Sequence, residues 1–259
     1  MLLVDVGNTR VKWARLDGDT LGPQSAAAHA GWSARDWHAA LFDGAPVSAV
    51  LAGSVAGEEV NAALEAATRE ATGRGVRFVA SSPEAAGVRS GYADPALLGV
   101  DRWLAVIGAC ALIRGARVVV DVGTAATVDL VDADGRHRGG YIVPGPSLMS
   151  RSLRRSTADL AQRHAASGPA SLTDGPADNT RDAIERGACL AVAALVDRCV
   201  ADATVAGRRP GLLLTGGDAA EVLPWLRTPA EVVPDLVLRG LREFVRQGVP
   251  TEPAPGDTK

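Results

Sequence analysis

Short apolar runs separated by longer amphipathic stretches recur along the whole chain, and they predict alternating strands and helices. The longer stretches repeat apolar residues every three or four positions, as Val60, Leu64, Ala67 and Ala71 do. The predicted strands lie at 2–6, 10–16, 47–53, 76–80, 117–121, 125–131, 137–143 and 211–217. The predicted helices lie near 33–42, 58–72, 101–113, 147–161, 179–202, 217–226 and 237–247. This alternation predicts an α/β fold with mixed sheets.

Two of the predicted strands end in the same kind of short loop. One runs into Asp5-Val6-Gly7-Asn8-Thr9 and the other into Asp121-Val122-Gly123-Thr124. Each loop is followed by a second β-prone segment and by a turn of aspartate and glycine. Strand, tight loop, strand and turn, found twice, predict a duplicated β-hairpin in two related halves. We expect an N-terminal domain over 1–114, a C-terminal domain over 115–250 and a disordered polar tail over 251–259.

The residue types in these loops suit a phosphate group. Glycine lets the backbone approach an anion, and Thr or Asn side chains and backbone N–H groups can hold phosphate oxygens. The aspartate at each strand end supplies a carboxylate for a cation that neutralises the phosphate. One such loop could be a plain turn, but two in matched surroundings favour a nucleotide cleft between two related halves. Lys12, just after the first loop, is either a phosphate contact or an exposed strand lysine.

Composition excludes several classes of protein. The net charge of −3 shows no basic footprint, so nucleic acid is not expected as the main partner. No apolar run reaches about 18 residues, and Asp5 comes too early for a signal peptide, so we expect a cytoplasmic protein with no membrane association. Neither Lys12 nor Lys259 lies in a P-loop motif, and the four histidines have no zinc-binding spacing. The three cysteines, Cys110, Cys189 and Cys199, are expected to be buried thiols.

Further polar residues lie at predicted helix starts and strand ends. Asp101 is either an N-cap or, with adjacent Arg102, a base and a positive charge of the kind that phosphoryl transfer requires. Asn179 and Thr180 begin a long helix, so they form either a cap cluster or part of a substrate pocket. The segment Gly216-Gly217-Asp218 is either a loop under an adenine ring or a helix entrance.

The order of these motifs resembles the type III pantothenate kinases of the actin/hexokinase/Hsp70-type ATPase superfamily. The likeness covers nearly the whole chain except the tail. The matching segments are Asp5–Thr9, Gly91–Pro95, Gly99–Arg102, Asp121–Thr127, Gly139–Gly145, Asn179–Thr180 and Thr215–Asp218. The sequence departs from the family pattern at two places that bear on cation preference and ATP affinity. Ala126 stands where the family commonly has threonine, and Arg10 and Lys12 add charge where many members have neutral residues.

The resemblance implies two ribonuclease-H-like domains with mixed sheets flanked by helices, and ATP-dependent phosphorylation of pantothenate, the first step of coenzyme A biosynthesis. It implies a homodimer that needs Mg²⁺ and K⁺ or NH₄⁺. The implied residues are Asp101 as general base; Asp5, Val6, Gly7, Asn8, Thr9, Arg10, Val11, Lys12 and Thr124 for ATP; Tyr92, Gly99, Val100, Asp101, Arg102 and Thr180 for pantothenate; and Asp121 and Asp5 for metal ions.

Two other functions are compatible with the same loops. One is a different small-molecule kinase or phosphatase of the superfamily, because the loops do not define the acceptor. The other is a non-catalytic regulatory protein, a transcription accessory factor on the same scaffold. The presence of Asp5, Asp101 and Asp121 and the lack of a helix-turn-helix pattern favour the kinase.

Overall fold

The computed structural model of this chain describes residues 1–44, 46–156 and 175–248. The strands are β1 Leu2–Val6, β2 Arg10–Asp17, β3 Thr20–Leu21, β4 Ser25–Ala28, β5 Val50–Ser54, β6 Arg77–Phe78, β7 Glu84–Ala85, β8 Val88–Arg89, β9 Arg117–Val122, β10 Ala125–Val131, β11 His137–Pro144, β12 Gly211–Thr215 and β13 Glu231–Val232. The α-helices are α1 Ala34–Phe42, α2 Glu58–Thr72, α3 Val100–Leu112, α4 Pro146–Ser156, α5 Thr180–Ala203, α6 Ala219–Val222 and α7 Leu236–Arg246.

The chain forms two compact units. The first comprises Met1–Arg114, Gly135–His137 and Asp235–Lys259, and the second comprises Gly115–Asp134 and Arg138–Pro234. The first unit is therefore discontinuous in sequence, because it takes its last helix from the end of the chain.

The first unit is built on a six-stranded sheet with the order β3-β2-β1-β5-β6, in which β4 also pairs with β2. The central strand β1 runs antiparallel to β2 and parallel to β5. All five residues of β1 are buried, as expected for a strand covered on both faces. Its residues Leu2, Val4 and Val6 form one core with helices α1 and α2, which contribute Trp37, Leu41, Leu64 and Ala67.

Helices α3 and α7 of the first unit cross at very short distance, and two glycines permit this. A Cβ atom on Gly108 would collide with the carbonyl oxygen of Leu236, and a Cβ atom on Gly240 would collide with that of Leu104. Because any side chain here would force the helix backbones apart, the crossing requires glycine on both helices. This crossing holds α7 in the first unit.

The second unit contains a five-stranded sheet with the order β11-β10-β9-β12-β13. Strand β9 runs antiparallel to β10 and parallel to β12. One face of α5, including Val192 and Val196, packs with residues of three strands: Val118, Val120 and Val122 of β9, Val128 of β10, and Leu212 and Leu214 of β12.

The two sheets have the same topology. In each, the first strand lies at the centre, its hairpin partner and a third strand lie on one side, and two later strands lie parallel on the other side. The duplication predicted from the two aspartate loops is thus present in the strand order, and the α/β fold class with two related mixed sheets is confirmed.

The observed elements differ from the sequence prediction at several places. The helix predicted at 217–226 is a single short helix, α6, followed by a 3₁₀ turn at Leu223–Trp225 that contains a proline. The closing helix α7 belongs to the first unit and not to the predicted C-terminal domain, because it packs on α3. Cys110 is only partly buried, whereas Cys189 and Cys199 are buried, and no disulfide links the three. The predicted disordered tail 251–259 lies outside the described residues.

Candidate functional site

The first aspartate loop connects β1 to β2. Asp5 is 8% exposed at the end of β1. The N–H group of Gly7 donates to the carbonyl oxygen of Arg10 at 3.0 Å and closes the loop. Asn8, Thr9 and Arg10 are exposed, so the tip of this loop presents polar side chains and backbone to solvent. Such a tip can accept a phosphate group.

Lys12 lies directly opposite Asp5 in the antiparallel pair of β1 and β2. Residues opposite each other in such a pair have side chains on the same face of the sheet. On its other side Asp5 pairs with Gly53 of the parallel strand β5. The carboxylate is thus beside a cation on one strand and beside a residue without a side chain on the other.

The second aspartate loop connects β9 to β10 and is one residue shorter than the first. Val122 pairs with Ala126 across this loop, whereas Val6 pairs with Val11 across the first. Asp121 is partly buried and Thr124 is exposed. The duplication therefore preserves the strand-end aspartate and the exposed tip, but not the loop length.

Two glycines from other segments of the second unit lie against this loop. Gly145 donates its N–H to the carbonyl oxygen of Thr124 at 2.9 Å, and a Cβ atom on it would collide with the carbonyl oxygen of Gly123. Gly216 has a φ of +98°, and a Cβ atom on it would lie 2.5 Å from Oδ1 of Asp121. These two glycines therefore lie against protein backbone and against the Asp121 carboxylate.

The segment after β12 also enters a helix. Asp218 is the N-cap residue of α6, and its N–H donates to the carbonyl oxygen of Val122 at 2.9 Å. The helix-entrance interpretation of Gly216-Gly217-Asp218 therefore holds. The same turn fixes the end of β9 next to Asp121.

Asp101 lies in the first turn of α3 and is not its N-cap, which is Gly99. Its Oδ1 atom accepts a hydrogen bond of 2.7 Å from the N–H group of Arg102. A carboxylate in the first helical turn is stabilised by the positive end of the helix dipole. The capping alternative for Asp101 is wrong, and its side chain is partly exposed.

Helix α3 packs against the strand next to Asp5. A Cβ atom on Gly53 would lie 2.5 Å from Cδ1 of Leu104 and 3.9 Å from Cγ2 of Val100. Since Gly53 is the register partner of Asp5, the helix start that carries Asp101 lies close to the end of β1. A side chain at position 53 would displace the end of the Leu104 side chain.

Tyr92, Arg102 and His137 form one aromatic and cationic cluster in the first unit. Nη1 of Arg102 donates to the Tyr92 hydroxyl at 2.7 Å. The rings of Tyr92 and His137 are stacked with 6.0 Å between centroids and 16° between planes. His137 is fully buried and Arg102 is 5% exposed. The sequence did not predict a role for His137, because the preceding turn Asp134-Gly135 gives no sign that His137 contacts Tyr92.

Thr180 lies in the second unit as the first residue of α5. The cap hydrogen bond of this helix is made by Asn179, whose side chain accepts from the N–H of Asp182 at 2.9 Å. The cap role thus belongs to Asn179, which leaves the pocket interpretation open for Thr180.

The predicted site residues therefore divide between the units. The first unit brings together the Asp5–Lys12 loop and the start of α3. In the same unit Arg102 is hydrogen-bonded to Tyr92. The second unit carries Asp121, Thr124 and Thr180, of which the first two share one loop. His29, also missed from the sequence, donates from Nε2 to the carbonyl oxygen of Gly7 at 2.7 Å.

The carboxylate of Asp5 suits a cation that is also bound by a ligand. Among the described residues no three His, Cys, Asp or Glu side chains gather into a group that could hold a metal ion. Mg²⁺ is commonly bound by one or two carboxylates together with substrate phosphates and water, so Asp5 beside an exposed loop fits that ion.

In the described ranges no helix is long and apolar enough to cross a membrane.

The repeated strand order of the two sheets defines an α/β fold with two related units. In fold, this chain is similar to a ROK family glucokinase from Streptomyces griseus, solved with glucose and AMPPNP, with a TM-score of 0.50 and 14% identity over 95% of this chain and 99% of that one. The family model described as type III pantothenate kinase matches residues 1–202.

Curated relatives agree with that match. A type III pantothenate kinase from Chromobacterium violaceum is 40% identical over 93% of this chain and 97% of its own length. One from Aromatoleum aromaticum is 39% identical over 95% of this chain and 98% of its own length. The chain belongs to the type III pantothenate kinase family.

Proposed function

We propose that this protein transfers the γ-phosphoryl group of ATP to the primary hydroxyl of pantothenate, which yields 4′-phosphopantothenate, the first step of coenzyme A biosynthesis. Family membership over most of the chain carries the proposal. The presence of an acidic residue at the start of α3, close to the end of β1, supports it.

Asp101 is the proposed general base. A base must come within hydrogen-bond reach of the acceptor hydroxyl, and the carboxylate of Asp101 is partly exposed. Its hydrogen bond from the Arg102 N–H orients the carboxylate. Transfer of the hydroxyl proton to this carboxylate would leave the alkoxide directed at the transferred phosphoryl group.

The loop Asp5–Lys12 and Thr124 are the proposed contacts to ATP phosphates. The exposed tip of each loop offers the backbone N–H groups that bind anions, and Lys12 adds charge on the face of Asp5. Mg²⁺ near Asp5 would neutralise charge that develops on the phosphate oxygens. Monovalent K⁺ or NH₄⁺ would be held by Asp121, whose carboxylate lies beside Gly216.

Pantothenate is proposed to bind Tyr92, Gly99–Arg102 and Thr180. Pantothenate carries a carboxylate and two hydroxyl groups, so an arginine, a phenol and a threonine offer suitable donors. Arg102 is already oriented by Tyr92, which lowers the entropy lost when a ligand binds.

A homodimer is also part of the proposal. Strand β11 is at an edge of the second sheet, with Tyr141 53% and Ile142 60% exposed. Exposed apolar residues on an edge strand favour pairing with another surface. Light scattering should give twice the chain mass, and Ile142→Lys should lower this measured mass.

A cytoplasmic location and the absence of a nucleic-acid partner stay predictions from composition.

The activity is tested by measuring ATP consumption with and without pantothenate, in K⁺ and in Na⁺ buffers, with product mass determined by mass spectrometry. A panel of other hydroxy acids distinguishes pantothenate from other acceptors of superfamily kinases. ATP turnover that requires pantothenate supports the proposal. Transfer to another acceptor, or no transfer to any, contradicts it and favours the alternative kinase or the regulatory protein.

A further inference from the structure

Two hydrogen bonds connect His29 to the first aspartate loop, although His29 lies 20 residues after Thr9, the last residue of that loop. Its Nε2 atom lies 2.7 Å from the carbonyl oxygen of Gly7. Its backbone N–H donates to the carbonyl oxygen of Thr9 in a longer hydrogen bond of 3.4 Å. A carbonyl oxygen can only accept, so Nε2 carries the proton in the first contact.

The ring of His29 is held in place by tryptophans. It is 4% exposed, with its centroid 5.5 Å from that of Trp37 and 6.5 Å from that of Trp32. The two indoles are themselves perpendicular at 5.0 Å. A buried polar ring surrounded by aromatic groups has few rotamers, so the position of Nε2 is fixed by packing.

Strand β4 explains how His29 reaches the loop. This short strand pairs with β2 from Arg10 to Trp13, and His29 follows it directly. The pairing brings the end of β4 next to the loop that precedes β2. The serine and alanines of β4 have little strand propensity of their own, so register with β2 determines their structure.

We propose that His29 is a positioning residue for nucleotide phosphates, which acts by fixing the peptide between Gly7 and Asn8. In a planar trans peptide, the C=O and N–H bonds point in opposite directions. When the Gly7 carbonyl is bound to His29, the Asn8 N–H is directed away from the protein interior, on the side where Asn8 and Thr9 are exposed. A preoriented N–H group at this place binds a phosphate oxygen without reorganisation. The inference rests on the proposed role of this loop in ATP binding.

Two substitutions at position 29 test it. His29→Phe retains an aromatic ring against Trp32 and Trp37 but has no donor, whereas His29→Gln retains an N–H donor near the position of Nε2. We expect His29→Phe to lower kcat/KM for ATP by roughly 5- to 150-fold, the range for a polar group left unpaired, with KM for pantothenate changed by less than about twofold. His29→Gln should restore most of the loss. His38→Phe is the matched control, since the ring of His38 lies against Phe42.

Binding of the ATP analogue AMPPNP with Mg²⁺, measured by calorimetry, separates this inference from the proposed function. Weaker AMPPNP binding by His29→Phe, restored in His29→Gln, supports the role of His29 even if pantothenate is not the acceptor. Equal AMPPNP affinity in wild type and His29→Phe, with only a lower Tm, overturns it. Equal loss in the Phe and Gln variants also overturns it, because the donor would then be irrelevant.

Discussion

The Tyr92 hydroxyl accepts a hydrogen bond of 2.7 Å from Nη1 of Arg102, and the Tyr92 ring stacks on His137. Tyr92→Phe removes the hydroxyl and keeps the stacked ring. A hydrogen bond to a charged group contributes about 1.5–3 kcal/mol, so we expect kcat/KM for pantothenate to fall roughly 10- to 150-fold. Steady-state kinetics with each substrate varied measures this. An equal fall in kcat/KM for ATP at saturating pantothenate would contradict a role limited to the acceptor.

Asp101→Asn should keep the fold and ATP binding but lose most phosphoryl transfer. The amide is nearly isosteric with the carboxylate and can still accept from the Arg102 N–H, but it cannot take a proton. Loss of a general base lowers kcat by roughly 10²- to 10⁴-fold. Single-turnover kinetics and thermal melting measure the two effects separately. Turnover near that of wild type would show that Asp101 is not the base.

Asp121→Ala should reduce the dependence of activity on K⁺ or NH₄⁺ and raise KM for ATP. The variant removes the carboxylate beside Gly216 without changing the strand pairs of β9. A cation next to phosphates would lose its anionic ligand. Activity is measured during K⁺ titration, with Asp134→Ala, an exposed aspartate of the same unit, as control. An unchanged K⁺ response in Asp121→Ala would assign the ion to another place.

Thr180→Val and Asn179→Ala separate the pocket from the helix cap. Asn179 makes the cap hydrogen bond to Asp182, so its loss should lower stability by about 0.5–2 kcal/mol. Thr180→Val preserves shape but removes the hydroxyl, so we expect kcat/KM for pantothenate to fall roughly 5- to 150-fold with Tm nearly unchanged. kcat/KM for pantothenate and Tm are measured for both variants. A stability loss alone in Thr180→Val would refute its contact with substrate.

Cys189 should react with alkylating reagents only at high pH. Burial, and then the negative charges of Glu221, Glu185 and Asp218, raise the pKa of its thiol to about 11. Only the thiolate reacts, so labelling by iodoacetamide should increase about tenfold per pH unit between pH 8 and 10. Cys110, which is partly exposed, should be labelled first at pH 7.5. Mass spectrometry of peptides measures both, and a plateau for Cys189 below pH 9 would contradict the raised pKa.

The parts of the fold that the sequence predicted are those with strong local patterns. Strand β1 was predicted at 2–6 and observed there, because the apolar run Leu2-Leu3-Val4 marks it in the sequence and all five of its residues are buried. Strand β4 was missed because Ser-Ala-Ala-Ala has neither alternation nor strand propensity, and it forms only through pairing with β2. The helix predicted at 217–226 is shorter because Pro224 cannot continue an α-helical hydrogen-bond pattern.

The candidate site was predicted unevenly for the same reason. The aspartates at strand ends and helix starts have local signatures, so their positions could be inferred. His29 and His137 are isolated in sequence and reach Gly7 and Tyr92 only through tertiary packing. The placement of α7 in the first unit depends on the backbone contact of Gly240 with Leu104, for which helical periodicity gives no signal.

That contact has a consequence for folding during synthesis. Domains generally fold as units, beginning at the N-terminus as the chain leaves the ribosome. Here the helix that carries Asp101 packs on α7, so the first unit cannot be completed until Leu236–Arg246 has been synthesised. The second unit, whose segments end at Pro234, can finish folding before it. The packing of the helix that carries the proposed catalytic base is therefore completed last, although Asp101 is translated long before Leu236–Arg246.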